Sequence, residues 1–243
     1  MKITAYNLHR SAPSSRALVA HHAKSTRVQG ADLVMKSTGG TAVLAVPERR
    51  NLSATSDFRF RIPPMRKVVL GLGISLDGYI ARPDGAVDFL FMPKDYSMGP
   101  FFATIDTAVL GRKTYDDALK MGGGGFSGSK MKNYVFSHSQ PPGERGGVTF
   151  VNESPKTFVE NLRKRPGKNI WLMGGGELAR DFLKDDVVDE LYIGIVPVLI
   201  GEGRPLFPSG FPQREFTLIE NKTFSKGLIA LKYARTRKKP RRK

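Results

Sequence analysis

From Lys67 onward the chain repeats one pattern: a short apolar run, a glycine or polar turn, then a segment with apolar residues on one helical face. Lys67-Val-Val-Leu-Gly-Leu-Gly-Ile74 reads as a buried strand. So do Ala108-Val-Leu-Gly111, Tyr134-Val-Phe136, Val148-Thr-Phe-Val151, Ile170-Trp-Leu-Met173 and Glu190-Leu-Tyr-Ile-Gly-Ile-Val196. Residues 216–224 alternate with period two, and residues 228–233 follow a Ser-Lys-Gly turn, which predicts an antiparallel hairpin. Helices are expected at 114–120, 155–165 and 176–183. In the second, Ser154 suits the N-cap, Pro155 the first helical position, and Phe158 and Leu162 share a face. In the third, Leu178 and Phe182 do the same. Strands alternating with helices predict parallel βαβ units. The expected fold is α/β: a mixed, mainly parallel sheet with helices on both faces and a C-terminal antiparallel hairpin.

Charge divides the 243 residues differently. The chain is formally +17, yet residues 66–231 carry only +2. Residues 1–65 carry +7 and residues 232–243 carry +8. The first 65 residues lack a sustained apolar period and read as a disordered leader outside the domain. No acidic residue precedes Asp32, so an organelle transit segment is the alternative. Residues 234–243 read as a solvated basic tail, able at most to hold nucleic acid nonspecifically. The domain between them spans 66–233. No apolar stretch reaches the roughly 18 residues a membrane helix needs, and the expected location is the cytoplasm.

The absence of cysteine excludes disulfides, thiol nucleophiles and Cys-ligated metals. Only His138 lies in the domain, so no His-rich metal site is expected. The Gly122–Lys130 segment lacks the Gly-Lys-Ser/Thr ending of a phosphate loop and is expected to be a mobile loop. Two strand-to-helix junctions carry more. Gly174-Gly-Gly176 opens a helix, where backbone N–H groups and the helix dipole suit a pyrophosphate. The alternative is a tight turn with no ligand. Gly111-Arg-Lys-Thr114 places two cations and a hydroxyl at another helix start, where cations oppose the dipole unless an anion is bound.

These junctions, with Ser75-Leu-Asp-Gly-Tyr-Ile80 and Val196-Pro-Val-Leu-Ile-Gly-Glu-Gly-Arg-Pro-Leu-Phe207, resemble the dihydrofolate-reductase type. They are most similar to the reductase half of the bifunctional deaminase-reductase of riboflavin synthesis and its stand-alone relatives, which are often dimers. The resemblance implies an NADPH-dependent oxidoreductase. Gly174, Gly175, Gly176 and Glu177 would lie under the pyrophosphate. Gly111, Arg112, Lys113 and Thr114 would hold pyrophosphate and the adenosine 2′-phosphate, which Ser137 and His138 would also meet. Gly73 and Ile80 would flank the nicotinamide. A hydride would pass from C4 of NADPH to a small pyrimidine-, pteridine- or ribosylamino-type substrate. In dihydrofolate reductases a carboxylate lies sixteen residues before the glycine of the Gly-Arg motif, which counts back here to Asp95. Asp88 is the second candidate proton donor and Asp77 a third, although Asp77-Gly78 also reads as turn chemistry. A nucleic-acid-binding protein and a catalytically silent cofactor-binding domain are the competing functional readings.

Overall fold

Val68–Ile74 (β1) is almost wholly apolar because it is buried from both sides, between neighbouring strands and under helices on two faces. The computed structural model describes residues 65–120, 122 and 130–237. The expected leader, most of the Gly122–Lys130 loop and the end of the basic tail lie outside this set. After β1 come a short strand Tyr79–Ala81 (β2), a one-turn helix Gly99–Ala103 (α1), strand Ile105–Gly111 (β3) and helix Arg112–Lys120 (α2). Strands Lys132–Phe136 (β4), Gly143–Arg145 (β5) and Val148–Val151 (β6) lead to helix Pro155–Arg163 (α3). Strand Asn169–Gly174 (β7), helix Gly176–Lys184 (α4) and strand Glu190–Ile195 (β8) follow. A two-residue strand Arg204–Pro205 (β9) precedes the terminal hairpin, Phe216–Thr223 (β10) and Ile229–Arg235 (β11).

Among the described residues, nine strands form one sheet in the order β10-β11-β8-β1-β7-β3-β4-β6-β5. The six strands from β8 to β6 are mutually parallel, and β11, β10 and β5 run antiparallel at the two edges. The carboxyl ends of β1, β3, β4, β7 and β8 therefore share one edge. β7 inserts between β1 and β3, so successive connections reverse direction beside β1, the place where open α/β sheets form a crevice.

The alternation of side chains along each strand feeds two cores. Val109, Leu172, Tyr134 and Phe136 face α3 and α4, against Phe158, Val159, Leu162, Leu178 and Phe182. Leu110, Val135, Phe150 and Met173 face the other way, against Tyr115 of α2. Helices thus cover both faces. The α3 start is built as its sequence requires: Ser154 Oγ accepts the Thr157 N–H at 3.1 Å and Pro155 occupies the first turn. The hairpin turn at Ser225–Gly227 places Lys226 and Gly227 at positive φ.

Three features depart from the sequence expectations. α2 begins at Arg112, two residues early, because β3 runs directly into it. The β2, β5 and β9 strands are too short to carry a period. β11 continues past Tyr233 to Arg235, so the basic tail begins later than residue 234. Arg235 Nε lies 2.9 Å from Asp186 and Arg237 Nη1 2.9 Å from Asp189, so acidic residues of the domain anchor the first cations of the run.

Candidate functional site

The two glycine junctions named by the sequence come together at the carboxyl edge because β3 and β7 are neighbours, with Leu110 opposite Gly174. A β-carbon on Gly111 would touch Leu178 and the Gly174 carbonyl. Thr114 Oγ1 stands beside Gly175, and Lys113 Nζ lies 3.5 Å from Glu177 Oε1. The starts of α2 and α4 therefore meet at one place. Gly175 is the N-cap of α4, at φ +34°, and no side chain caps the helix. Its first N–H groups are left without a side-chain acceptor, which suits an anion. Gly176 is needed for a different reason: a β-carbon there would collide with the carbonyl oxygen of Pro205. That glycine serves the packing of the 204–208 segment on α4 as much as any ligand.

The other two motifs are bolted together nearby. Ser75 is fully buried; its Oγ donates to Asp77 Oδ1 at 2.5 Å and accepts the Tyr79 N–H at 3.0 Å. Asp77 Oδ2 accepts the N–H groups of Ile200 and Gly201 at 3.1 and 2.8 Å. Hydrogen bonds from Ser75, Gly201 and Ile200 hold the Asp77 carboxyl below its ordinary value. Leu76 N–H donates to Val198 and Leu206 N–H to Gly78, and β2 pairs with β9. The segments leaving β1 and β8 thus form one unit over the carboxyl edge. Ile80 is half-buried and packs on the main core, and the space beside Gly73 is filled by Leu90.

The nominated cations and acids all have protein partners. Arg112 Nε lies 2.8 Å from Asp116, one turn on, and Arg112 also reaches over the Phe150 ring. Ser137 Oγ accepts the Gln140 N–H at 3.1 Å, and His138 Nδ1 lies 3.2 Å from Asn152 Oδ1. Asp95 accepts from Ser225 Oγ at 2.7 Å and Ser225 N–H at 2.9 Å, tying the 93–97 turn to the hairpin tip. These bonds lower its pKa. Asp88 forms a two-pronged pair with Arg82 at 2.6 and 2.9 Å, which lowers its pKa in turn. Neither candidate donor has the raised pKa of a general acid. Asp95 lines a groove of about 340 Å³ with Phe101, Tyr192, Phe224, Lys222 and Lys232, on the face of β8, β10 and β11. The structure does not bring Asp88 and Asp95 together with the glycine junctions.

Two arrangements were missed from the sequence. Phe101 lies against Gly71, stacked on Tyr192 at 5.2 Å and edge-on to Trp171 at 5.6 Å. Arg204 of β9 pairs with Asp117 of α2 at 2.8 Å and donates to the Pro83 carbonyl, clamping the loop after β2. Neither carries a local signal, because the partners come from distant segments.

Residues 66–230 match the family profile described as the RibD C-terminal domain. The chain belongs to the RibD C-terminal domain family. That makes it a reductase-type domain of the riboflavin-pathway class. Two uncharacterised proteins of Bacillus subtilis strain 168 are similar to it. YwjB is 38% identical over 173 residues, covering 70% of this chain and 98% of YwjB. YyaP is 33% identical over 184 residues, covering 69% and 94%. A putative riboflavin biosynthesis protein from Shewanella sp. PV-4 shares the fold with a TM-score of 0.60 and 27% identity, covering 70% of this chain and 99% of that one. A diaminohydroxyphosphoribosylaminopyrimidine deaminase/5-amino-6-(5-phosphoribosylamino)uracil reductase from Thermotoga maritima superposes with a TM-score of 0.55 at 17% identity, covering 71% of this chain and 57% of the longer protein. The RibD C-terminal domain family includes the dihydrofolate-reductase-like sheet order seen here, with the antiparallel hairpin at its end. No helix among the described residues is long and apolar enough to cross a membrane.

Proposed function

We propose that this chain is an NADPH-dependent reductase that delivers a hydride to a small pyrimidine-, pteridine- or ribosylamino-type molecule. One observation carries the reading: two strand-to-helix junctions of the RibD type converge at the carboxyl edge, and the α4 start has no side-chain cap. Gly174, Gly175 and the first N–H groups of α4 fit a pyrophosphate, since only hydrogen atoms stand between that backbone and a ligand. Gly111 and Thr114 stand beside them, and Lys113 adds a cation. NADPH, when bound, supplies the hydride from C4 of its nicotinamide. The chain's own contribution is to hold the two rings in register and exclude water. The bolted 75–81 and 196–206 segments supply the rigid roof that such positioning requires. The lowered pKa values of Asp88 and Asp95 favour a role for both as fixed carboxylates rather than as proton donors.

The test is direct titration with NADPH, read by a change in its fluorescence. Saturable binding at micromolar cofactor is expected, with Gly175→Asp weakening it by at least tenfold through charge repulsion and a blocked approach. Absence of binding at millimolar NADPH, or an unaffected Gly175→Asp variant, sinks the reading. A panel of pyrimidine and pteridine substrates then separates a working reductase from a silent cofactor-binding domain.

A further inference from the structure

Sequence reading assigned the adenosine 2′-phosphate to Arg112, Lys113, Ser137 and His138, and the structure gives each of these a protein partner. One further cation stands among them. Arg145, the last residue of β5, is exposed, and its guanidinium stacks on the Phe150 ring at 4.5 Å from the centroid. The Arg112 guanidinium approaches the same ring at 5.9 Å. Arg112 comes from the α2 start, whereas Arg145 donates through Nη2 to the Pro141 carbonyl at 2.6 Å. Pro141 follows Gln140, whose N–H is held by Ser137. Arg145 therefore links the loop after β4 to the junction after β3, the two segments expected to meet that phosphate.

Charge makes the arrangement specific. Arg112 is paired with Asp116. Among the described residues no carboxylate is paired with Arg145, and Glu144 projects from the other face of the strand. Two guanidinium groups on one aromatic ring repel each other, and a single carboxylate offsets only one of them. A phosphate dianion would neutralise the remainder, and guanidinium groups bind it in a fork. We infer that Arg145, acting with Arg112 over Phe150, is the residue that selects the 2′-phosphorylated dinucleotide over its unphosphorylated counterpart. The inference rests on the NADPH reading above and adds to it a residue that neither junction motif contains.

The experiment measures binding of NADPH, NADH, adenosine 2′,5′-bisphosphate and 5′-ADP to the full-length protein and to Arg145→Gln and Arg145→Lys. Loss of one charge-assisted contact corresponds to about a tenfold to hundredfold weaker binding. That loss is expected in Arg145→Gln for the two 2′-phosphorylated ligands, with NADH and 5′-ADP unchanged and Arg145→Lys intermediate. An unchanged NADPH-to-NADH ratio in Arg145→Gln overturns the inference and leaves the reductase reading standing. Equal weakening of all four ligands also overturns it, because Arg145 would then only brace the loop through Pro141. A native protein that binds neither dinucleotide overturns the reductase reading itself.

Discussion

The two ends of the parallel strands treat charge in opposite ways. At the amino edge, ions are buried and fully partnered. Arg66 is 6% exposed and donates to Asp106, to Thr107 Oγ1 and to the carbonyls of Lys168 and Leu162. Asp189 accepts the Val68 N–H at 2.8 Å and pairs with Arg163 at 2.5 Å and Arg237 at 2.9 Å. Lys67 pairs with Glu190 at 2.6 Å. At the carboxyl edge the pairs are long or exposed, the helix start lacks a side-chain cap, and Arg145 has no carboxylate partner among the described residues. A buried charge must be satisfied within the fold, because its desolvation is otherwise uncompensated. An edge that leaves donors and cations unsatisfied is suited to an anion from outside. The amino edge is a closure that also seats the first residues of the basic run, and the carboxyl edge is a receptor.

Breaking each end should therefore give different phenotypes. The largest stability loss is expected from Asp189→Ala, which strands Arg163 and the Val68 N–H. About 3 kcal/mol is the expected cost in denaturant unfolding, with NADPH affinity unchanged in the protein that remains folded. A parallel loss of cofactor affinity would erase the division between the edges. Next is Gly176→Ala, whose methyl group meets the Pro205 carbonyl. Overpacking of this kind costs about 2 kcal/mol in thermal or denaturant unfolding. If stability is unchanged and only binding falls, Gly176 serves the ligand alone.

Acid should act on the carboxyl-edge ties. Asp77 and Asp95 have lowered pKa values when folded, so the stability they add is present above the unfolded carboxylate value of about 3.9 and is lost as pH falls through their folded values. Asp95→Asn should lower the unfolding midpoint at pH 7, and its deficit should shrink towards pH 3. A deficit that persists undiminished in acid would show that the charge of Asp95 contributes nothing. The smallest stability effect is expected from Lys113→Ala. Its pair with Glu177 is long and about 70% exposed, so less than about 0.5 kcal/mol should be lost. NADPH binding should nevertheless weaken about tenfold. Unchanged binding in a titration would remove Lys113 from the receptor.

Much of this architecture was legible along the chain because its signals are local. The apolar runs of β1, β3 and β7, the Ser154-Pro155 helix start and the Ser-Lys-Gly turn each depend on neighbours within a few residues. The Gly111 and Gly174 junctions were likewise visible, since a strand ending in glycine before a helix is a contiguous pattern. Asp95 shows where counting fails: spacing from Gly111 placed it correctly in sequence, but its carboxyl is spent on Ser225, 130 residues away. Arg145 shows the converse, a residue in a three-residue strand without periodicity whose partners, Phe150 and Arg112, come from separate strands and helices.

By itself, the sequence determined that a near-neutral α/β domain lies between two basic segments, where its strands and helices fall, and which glycines open them. Backbone propensity, capping and apolar periodicity act over one or two turns and are written into consecutive residues. Only the tertiary structure decided that β7 inserts between β1 and β3, that the two glycine junctions meet, that Gly176 must admit Pro205, and which cations remain unpaired. Those outcomes depend on which surfaces the sheet brings within a few ångströms, and electrostatic pairing at that range is set by position in space rather than by order along the chain.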